Sequence, residues 1–113
     1  MKRNRIALLN ELNDLLIEDN FEMISEKVLN EKNDPLFSSY RIFCLYALQT
    51  LTKNEVLYYK MILHHSNLKN ETLLGLIDSA AEISEVKEAL LQFIDSNHDF
   101  ENRPNSFLKD NLD

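Results

Sequence analysis

Few residues of this chain have the types and spacing that metal binding requires. The adjacent histidines His64 and His65 point about 100° apart on a helix, and neither has a metal-binding side chain three or four residues away. His98 lies near Asp95 and Asp99, a group that is more typical of a solvated helix end than of a metal centre. The sequence therefore predicts no metal site.

The sequence also contains no pattern typical of a catalytic nucleophile or of a phosphate-binding loop. Cys44 lies within an apolar helical run and has no histidine at a helical offset, so we expect a buried core thiol rather than a nucleophile. The only glycine, Gly75, excludes a glycine-rich loop that would bind phosphate groups. We expect a protein that is not an enzyme and that holds no cofactor.

The carboxylates of the last predicted helix form the most informative pattern. At 100° per residue, five polar side chains fall in an arc of about 80°, opposite Val86, Leu90 and Phe93, and the arc contains no basic residue. With the two flanking glutamates they form what we call the acidic ridge, predicted to be the partner-binding surface: Glu82, Glu85, Glu88, Gln92, Asp95, Asp99 and Glu101.

Two interpretations of the acidic ridge stay open. Like charges three or four residues apart cost about 0.2–0.5 kcal/mol per pair, and the helix dipole disfavours Asp95 and Asp99 by about 0.3–1 kcal/mol each. A basic partner would relieve both costs. A stable helical domain also tolerates costs this small, so a merely solvated face is the alternative.

Charge is distributed unevenly along the chain. Residues 1–35 contain eight acids and five bases, residues 36–70 one acid and four bases, and residues 71–113 ten acids and three bases, giving net charges of −3, +3 and −7. A polarised charge distribution steers partners of opposite sign. The negative carboxyl-terminal third points to a basic protein and disfavours direct binding of nucleic acid.

The elements that would position these residues are helices. With one glycine and two prolines in 113 residues, little interrupts helix formation, and the apolar spacing predicts an all-α fold. Asp34-Pro35 is typical of a helix start, as is the capping box formed by Thr52 and Glu55. We interpret Gly75 as permitting close helix packing. The approximate helix bounds are 3–17, 21–32, 35–51, 53–65, 71–80 and 85–97.

Short turns between these helices predict antiparallel neighbours in one domain, residues 1–97, followed by a polar tail, residues 98–113. Residues 35–51 are apolar nearly all round, so we expect this helix at the centre. The architecture is either a closed bundle or a HEAT-like stack of hairpins. No signal-peptide core or run of eighteen apolar residues is found, and we expect a cytoplasmic protein.

In size, acidity and lack of an enzymatic motif, the whole chain resembles the small acidic immunity proteins that protect bacteria from contact-dependent inhibition toxins or colicins. The resemblance implies a monomer that binds a basic toxin one to one. The toxin would be a nuclease domain, and the acidic ridge would cover its active site.

Two other functions are consistent with the sequence. One is a helical adaptor that binds a peptide or partner helix in a groove, with Ile42, Tyr46 and Tyr58 as anchors. The other is an acidic mimic of nucleic acid that binds a DNA-binding protein.

Overall fold

A computed structural model describes residues 5–31, 33–64 and 71–97 of the chain. These residues form six α-helices and one short 3₁₀ helix, Leu29–Glu31, without a β-strand among them. The all-α prediction is confirmed. The α-helices are α1 Arg5–Ile17, α2 Phe21–Lys27, α3 Pro35–Ala47, α4 Lys53–His64, α5 Glu71–Asp78 and α6 Ile83–Ser96.

Helix α3 lies at the centre of the fold, as its apolar character predicts. It packs against α2, α4 and α6, and nine of its residues are buried: Leu36, Phe37, Ser38, Ser39, Tyr40, Ile42, Phe43, Cys44 and Leu45. Because α3 is buried on several sides by three other helices, the described helices form a bundle around it.

Both predicted helix starts are confirmed. The Asp34 carboxylate accepts a hydrogen bond from the Leu36 amide at 3.0 Å and pairs with Arg5 of α1. The Arg5 guanidinium also lies 4.9 Å from the centre of the Phe37 ring. Thr52 and Glu55 form the reciprocal capping box, with both side-chain-to-amide bonds at 3.2 Å. These contacts fix where α3 and α4 begin.

Three helices end on left-handed residues that are not glycine. Asp19, Gln49 and Ala80 have φ values of 57°, 60° and 56°. Each lies in a Schellman turn, in which the amide of the next residue bonds to a carbonyl five positions earlier at 2.9 Å, as in Ala81 to Leu76. These turns end α3 at Ala47 and α5 at Asp78, earlier than the predicted ends at residues 51 and 80. Helices of this chain therefore end in Schellman turns although the usual glycine is absent.

The second helix is also shorter than predicted. It ends at Lys27 instead of about Lys32, because the chain continues as a 3₁₀ turn in which the Glu31 amide bonds to the Val28 carbonyl three residues earlier. Leu29, which would lie beside Ile24 and Val28 on one apolar stripe if the α-helix continued, is 45% exposed. The tighter turn rotates Leu29 out of the stripe that Ile24 and Val28 share.

The interpretation of Gly75 is wrong. A Cβ atom built on Gly75 meets no atom within 4 Å, and the residue is exposed in α5. No neighbouring helix therefore requires a glycine here. In a helix interior, glycine costs about 1 kcal/mol relative to alanine.

Exchanging the two residues, with Gly75→Ala and Ala80→Gly, is expected to stabilise the protein by about 1–2 kcal/mol. The exchange keeps the composition, so changes in the entropy of the unfolded chain largely cancel, while the left-handed strain at Ala80 is relieved. Urea unfolding of the double variant and of each single variant measures the change. A double variant no more stable than the wild type would contradict the assignment of Ala80 to the left-handed region.

Candidate functional site

Four members of the acidic ridge form an exposed face of α6, and Glu82 precedes the helix as its N-cap residue. Val86, Leu90 and Phe93 are buried against the bundle on the opposite face of the helix, and Ala89 is buried beside the ridge. The ridge residues that the structure describes are all exposed: Glu82, Glu85, Glu88, Gln92 and Asp95. The other two predicted members, Asp99 and Glu101, and the neighbouring His98 lie outside the described residues.

No lysine or arginine of the described segments forms an ion pair with the ridge. The one basic residue of α6, Lys87, points away from it, and the Lys87 Nζ atom lies 2.8 Å from Asp19 Oδ1. The other described ion pairs join Arg5 to Asp34, Lys27 to Glu11, Arg41 to Glu55 and Lys60 to Asp78. Within these segments, the ridge carboxylates are therefore uncompensated by the fold.

Because α6 begins at Ile83, two ridge carboxylates lie at the start of the helix, where its dipole stabilises them. Glu82 is the N-cap residue and Glu85 lies in the first turn, where the helix dipole favours negative charge. Asp95 lies in the last turn, which contains no basic residue. Of the described ridge, Asp95 carries the dipole penalty, and Glu88 lies one turn from Glu85 and repels it.

A groove runs beside the ridge, between α5 and α6. It has a volume of about 570 Å³ and continues into a second groove of about 300 Å³, with Thr72, Ala89 and Gln92 lining both. The half-buried Leu76 and the buried Ala89 give the larger groove an apolar floor, and Glu85 and Glu88 line one side. Glu85, Glu88 and Gln92 of the acidic ridge thus border a shallow concave surface.

The three residues expected to anchor a partner of an adaptor, Ile42, Tyr46 and Tyr58, make contacts within the fold. Ile42 is fully buried in the core. The Tyr46 hydroxyl donates a hydrogen bond to the Ala81 carbonyl at 2.6 Å, and the Tyr58 hydroxyl bonds to the Asn33 side chain. Burial therefore excludes Ile42 as an anchor, and the hydroxyls of both tyrosines have partners within the fold. Ile42 and Tyr46 lie off the main apolar face of α3, which is covered on several sides, as its apolar character predicts.

Arg41 is a structural residue that the sequence argument missed. Its Nε atom donates to the Tyr59 hydroxyl and one Nη atom donates to the Ser25 carbonyl, both at 2.8 Å. The other Nη atom lies 3.8 Å from a Glu55 carboxylate oxygen, and the Arg41 side chain is only 15% exposed. Burial raises the pKa of Tyr59, while Arg41 opposes that shift. A lone arginine in an apolar helix is the sequence signal for such a pairing.

Cys44 is buried in the core, as predicted, and burial raises the pKa of its thiol from 9.0 to about 12. We expect the native protein to resist alkylation by iodoacetamide at pH 8 and to react fully once unfolded in guanidinium, because only the thiolate attacks. Mass spectrometry measures the modification. Rapid labelling of the native protein would contradict the burial of Cys44.

The raised pKa of Cys44 also predicts how stability depends on pH. The unfolded chain releases the thiol proton near pH 9.0, whereas the folded chain retains it to about pH 12. Stability should therefore fall as pH rises through this interval. Chemical unfolding of a Cys44→Ala variant over the same pH range is the control, and a decline of equal size in that variant would contradict the attribution to Cys44.

Comparison of the chain with protein-family models, curated proteins and solved structures finds no match. Within the described ranges, no cluster of three histidine, cysteine or carboxylate side chains is arranged to hold a metal ion. None of the helices in those ranges combines the length and apolarity needed to span a bilayer. The ridge and the groove beside it therefore form the candidate functional site of the described residues.

Proposed function

We propose that this protein is an immunity protein or antitoxin that binds and neutralises a basic toxin with a nuclease domain. The acidic ridge covers the positively charged active site of the toxin and excludes its substrate. The protein acts in the cytoplasm as a monomer that forms a one-to-one complex.

The observation that carries this proposal is the exposed ridge without ion pairs from the described part of the fold. Nuclease active sites attract phosphate groups with basic residues, and a row of carboxylates presents a surface of the same sign as that substrate. Opposite charges on the two proteins accelerate their association. The net charge of −7 acts in the same direction.

Affinity purification of the tagged full chain from its native cell tests the proposal. We expect a basic polypeptide to copurify in equimolar amount at low salt and to lose its toxicity when the chain is added one to one. Duplex DNA and RNA are added as competitors, since a nucleic-acid mimic would instead release a DNA-binding protein to duplex DNA. Recovery of no basic protein, or of one whose activity is unaffected, would overturn the proposal.

A further inference from the structure

The two grooves between α5 and α6 form one trough along the ridge. They share Thr72, Ala89 and Gln92, and together extend along α6 from Ser84 to Ser96. At 1.5 Å per residue this is roughly 18 Å of helix. The trough is therefore long enough to accept several residues of an extended segment.

The lining of the trough favours one kind of side chain. Leu76 and Ala89 provide an apolar floor, and the carboxylates of Glu85 and Glu88 stand beside it. The Thr72 and Gln92 side chains form no hydrogen bond to any residue in the described segments. A ligand with an apolar stem and a cationic head that has many donors would match every part of this surface.

Arginine has this combination. Its stem is apolar, and its guanidinium presents five N–H donors in a planar fork that matches carboxylates better than the ammonium of lysine does. Glu85 and Glu88 are three residues apart on one helix face, which places their Cβ atoms about 5–6 Å apart. One guanidinium can reach both carboxylates from that position.

We propose that the trough binds an arginine side chain of the basic partner, with its guanidinium between Glu85 and Glu88 and its stem along Leu76 and Ala89. This inference rests on the proposed function and names the chemistry of the partner segment. It assigns a role to the shape of the trough in addition to the negative charge that the ridge supplies.

Nuclear magnetic resonance titration of the full chain tests the inference. The probes are the acetylated and amidated peptides Ala-Arg-Ala-Arg and Ala-Lys-Ala-Lys. We expect chemical-shift changes concentrated at Thr72, Leu76 and Ala89, and roughly tenfold tighter binding of the arginine peptide, because its bonds to carboxylates are bidentate. Equal affinities, or shifts spread evenly over all exposed acids, would overturn it.

A variant that fills the trough provides the second measurement. Thr72→Tyr adds bulk at a shared lining residue without changing any charge, and Thr72→Ser is the matched control. We expect the arginine peptide to bind Thr72→Tyr at least about tenfold more weakly and Thr72→Ser nearly as the wild type does. Circular dichroism checks that both variants fold.

The same variants distinguish this inference from the proposed function. If Thr72→Tyr still captures the basic partner with unchanged affinity, the partner binds the ridge without entering the trough, and only the arginine assignment fails. If the wild-type chain captures no basic partner, the immunity function fails whatever the peptide titration shows.

Discussion

Replacing three ridge carboxylates, with Glu85→Gln, Glu88→Gln and Asp95→Asn, is expected to weaken binding to the basic partner roughly 100-fold, at about 1 kcal/mol for each lost charge pair. The loss should appear mainly as slower association at low salt, since exposed interface charges steer encounter. Surface plasmon resonance at several salt concentrations measures both rates. The dependence of the affinity on salt should become shallower in the variant.

A matched control separates the ridge from net charge. Glu18, Glu22 and Glu26 are also exposed, and changing all three to glutamine gives the same net charge, −4 instead of −7, away from α6. This control is expected to bind almost as tightly as the wild type. Equal weakening in both variants would show that overall charge, and not the ridge, attracts the partner.

The ridge substitution should not weaken the fold. Asp95 is in the last turn of α6, where the helix dipole disfavours an anion, so Asp95→Asn alone is expected to stabilise the protein by about 0.5 kcal/mol. If Asp95→Asn raises the stability of the free protein and weakens binding to the partner, the Asp95 carboxylate contributes to the interface and not to the fold. A loss of stability in Asp95→Asn would instead indicate a structural role for this carboxylate.

Replacing Arg41 with alanine is expected to destabilise the protein by about 3 kcal/mol and to lower its Tm by about 12 °C. The substitution removes the contacts that tie Ser25 of α2 and Tyr59 and Glu55 of α4 to α3. It also leaves the buried ends of those contacts without a partner. Thermal unfolding followed by circular dichroism measures the effect.

Two graded variants test this explanation. Tyr59→Phe removes one of the hydrogen bonds to Arg41 and should cost about 1 kcal/mol. Arg41→Lys keeps the charge but loses the planar fork, so an intermediate loss is expected. If Arg41→Ala costs no more than an average exposed substitution, the arginine network does not hold the three helices together.

Much of the fold follows from local sequence, because helix starts and apolar stripes are short-range properties. Asp34 and Thr52 mark the beginnings of α3 and α4, and the buried face of α6 follows from the spacing of Val86, Leu90 and Phe93. Helix ends were less predictable. Gln49 and Ala80 adopt left-handed conformations that glycine would favour, and the hydrogen bonds of the Schellman turns offset that strain.

Some properties of the candidate site likewise follow from the local sequence, and others follow from tertiary packing. The sequence by itself determined the charge and helical phase of Glu85, Glu88 and Asp95, because both depend only on residue type and spacing. The tertiary structure alone decided that no described cation pairs with them and that Leu76 adds an apolar floor beside them, since both depend on how α5 packs against α6. The tertiary structure also placed Arg41 against Ser25 and Tyr59, which lie 16 and 18 positions away in the sequence. Contacts between helices are set by packing and leave no periodic signal in the sequence.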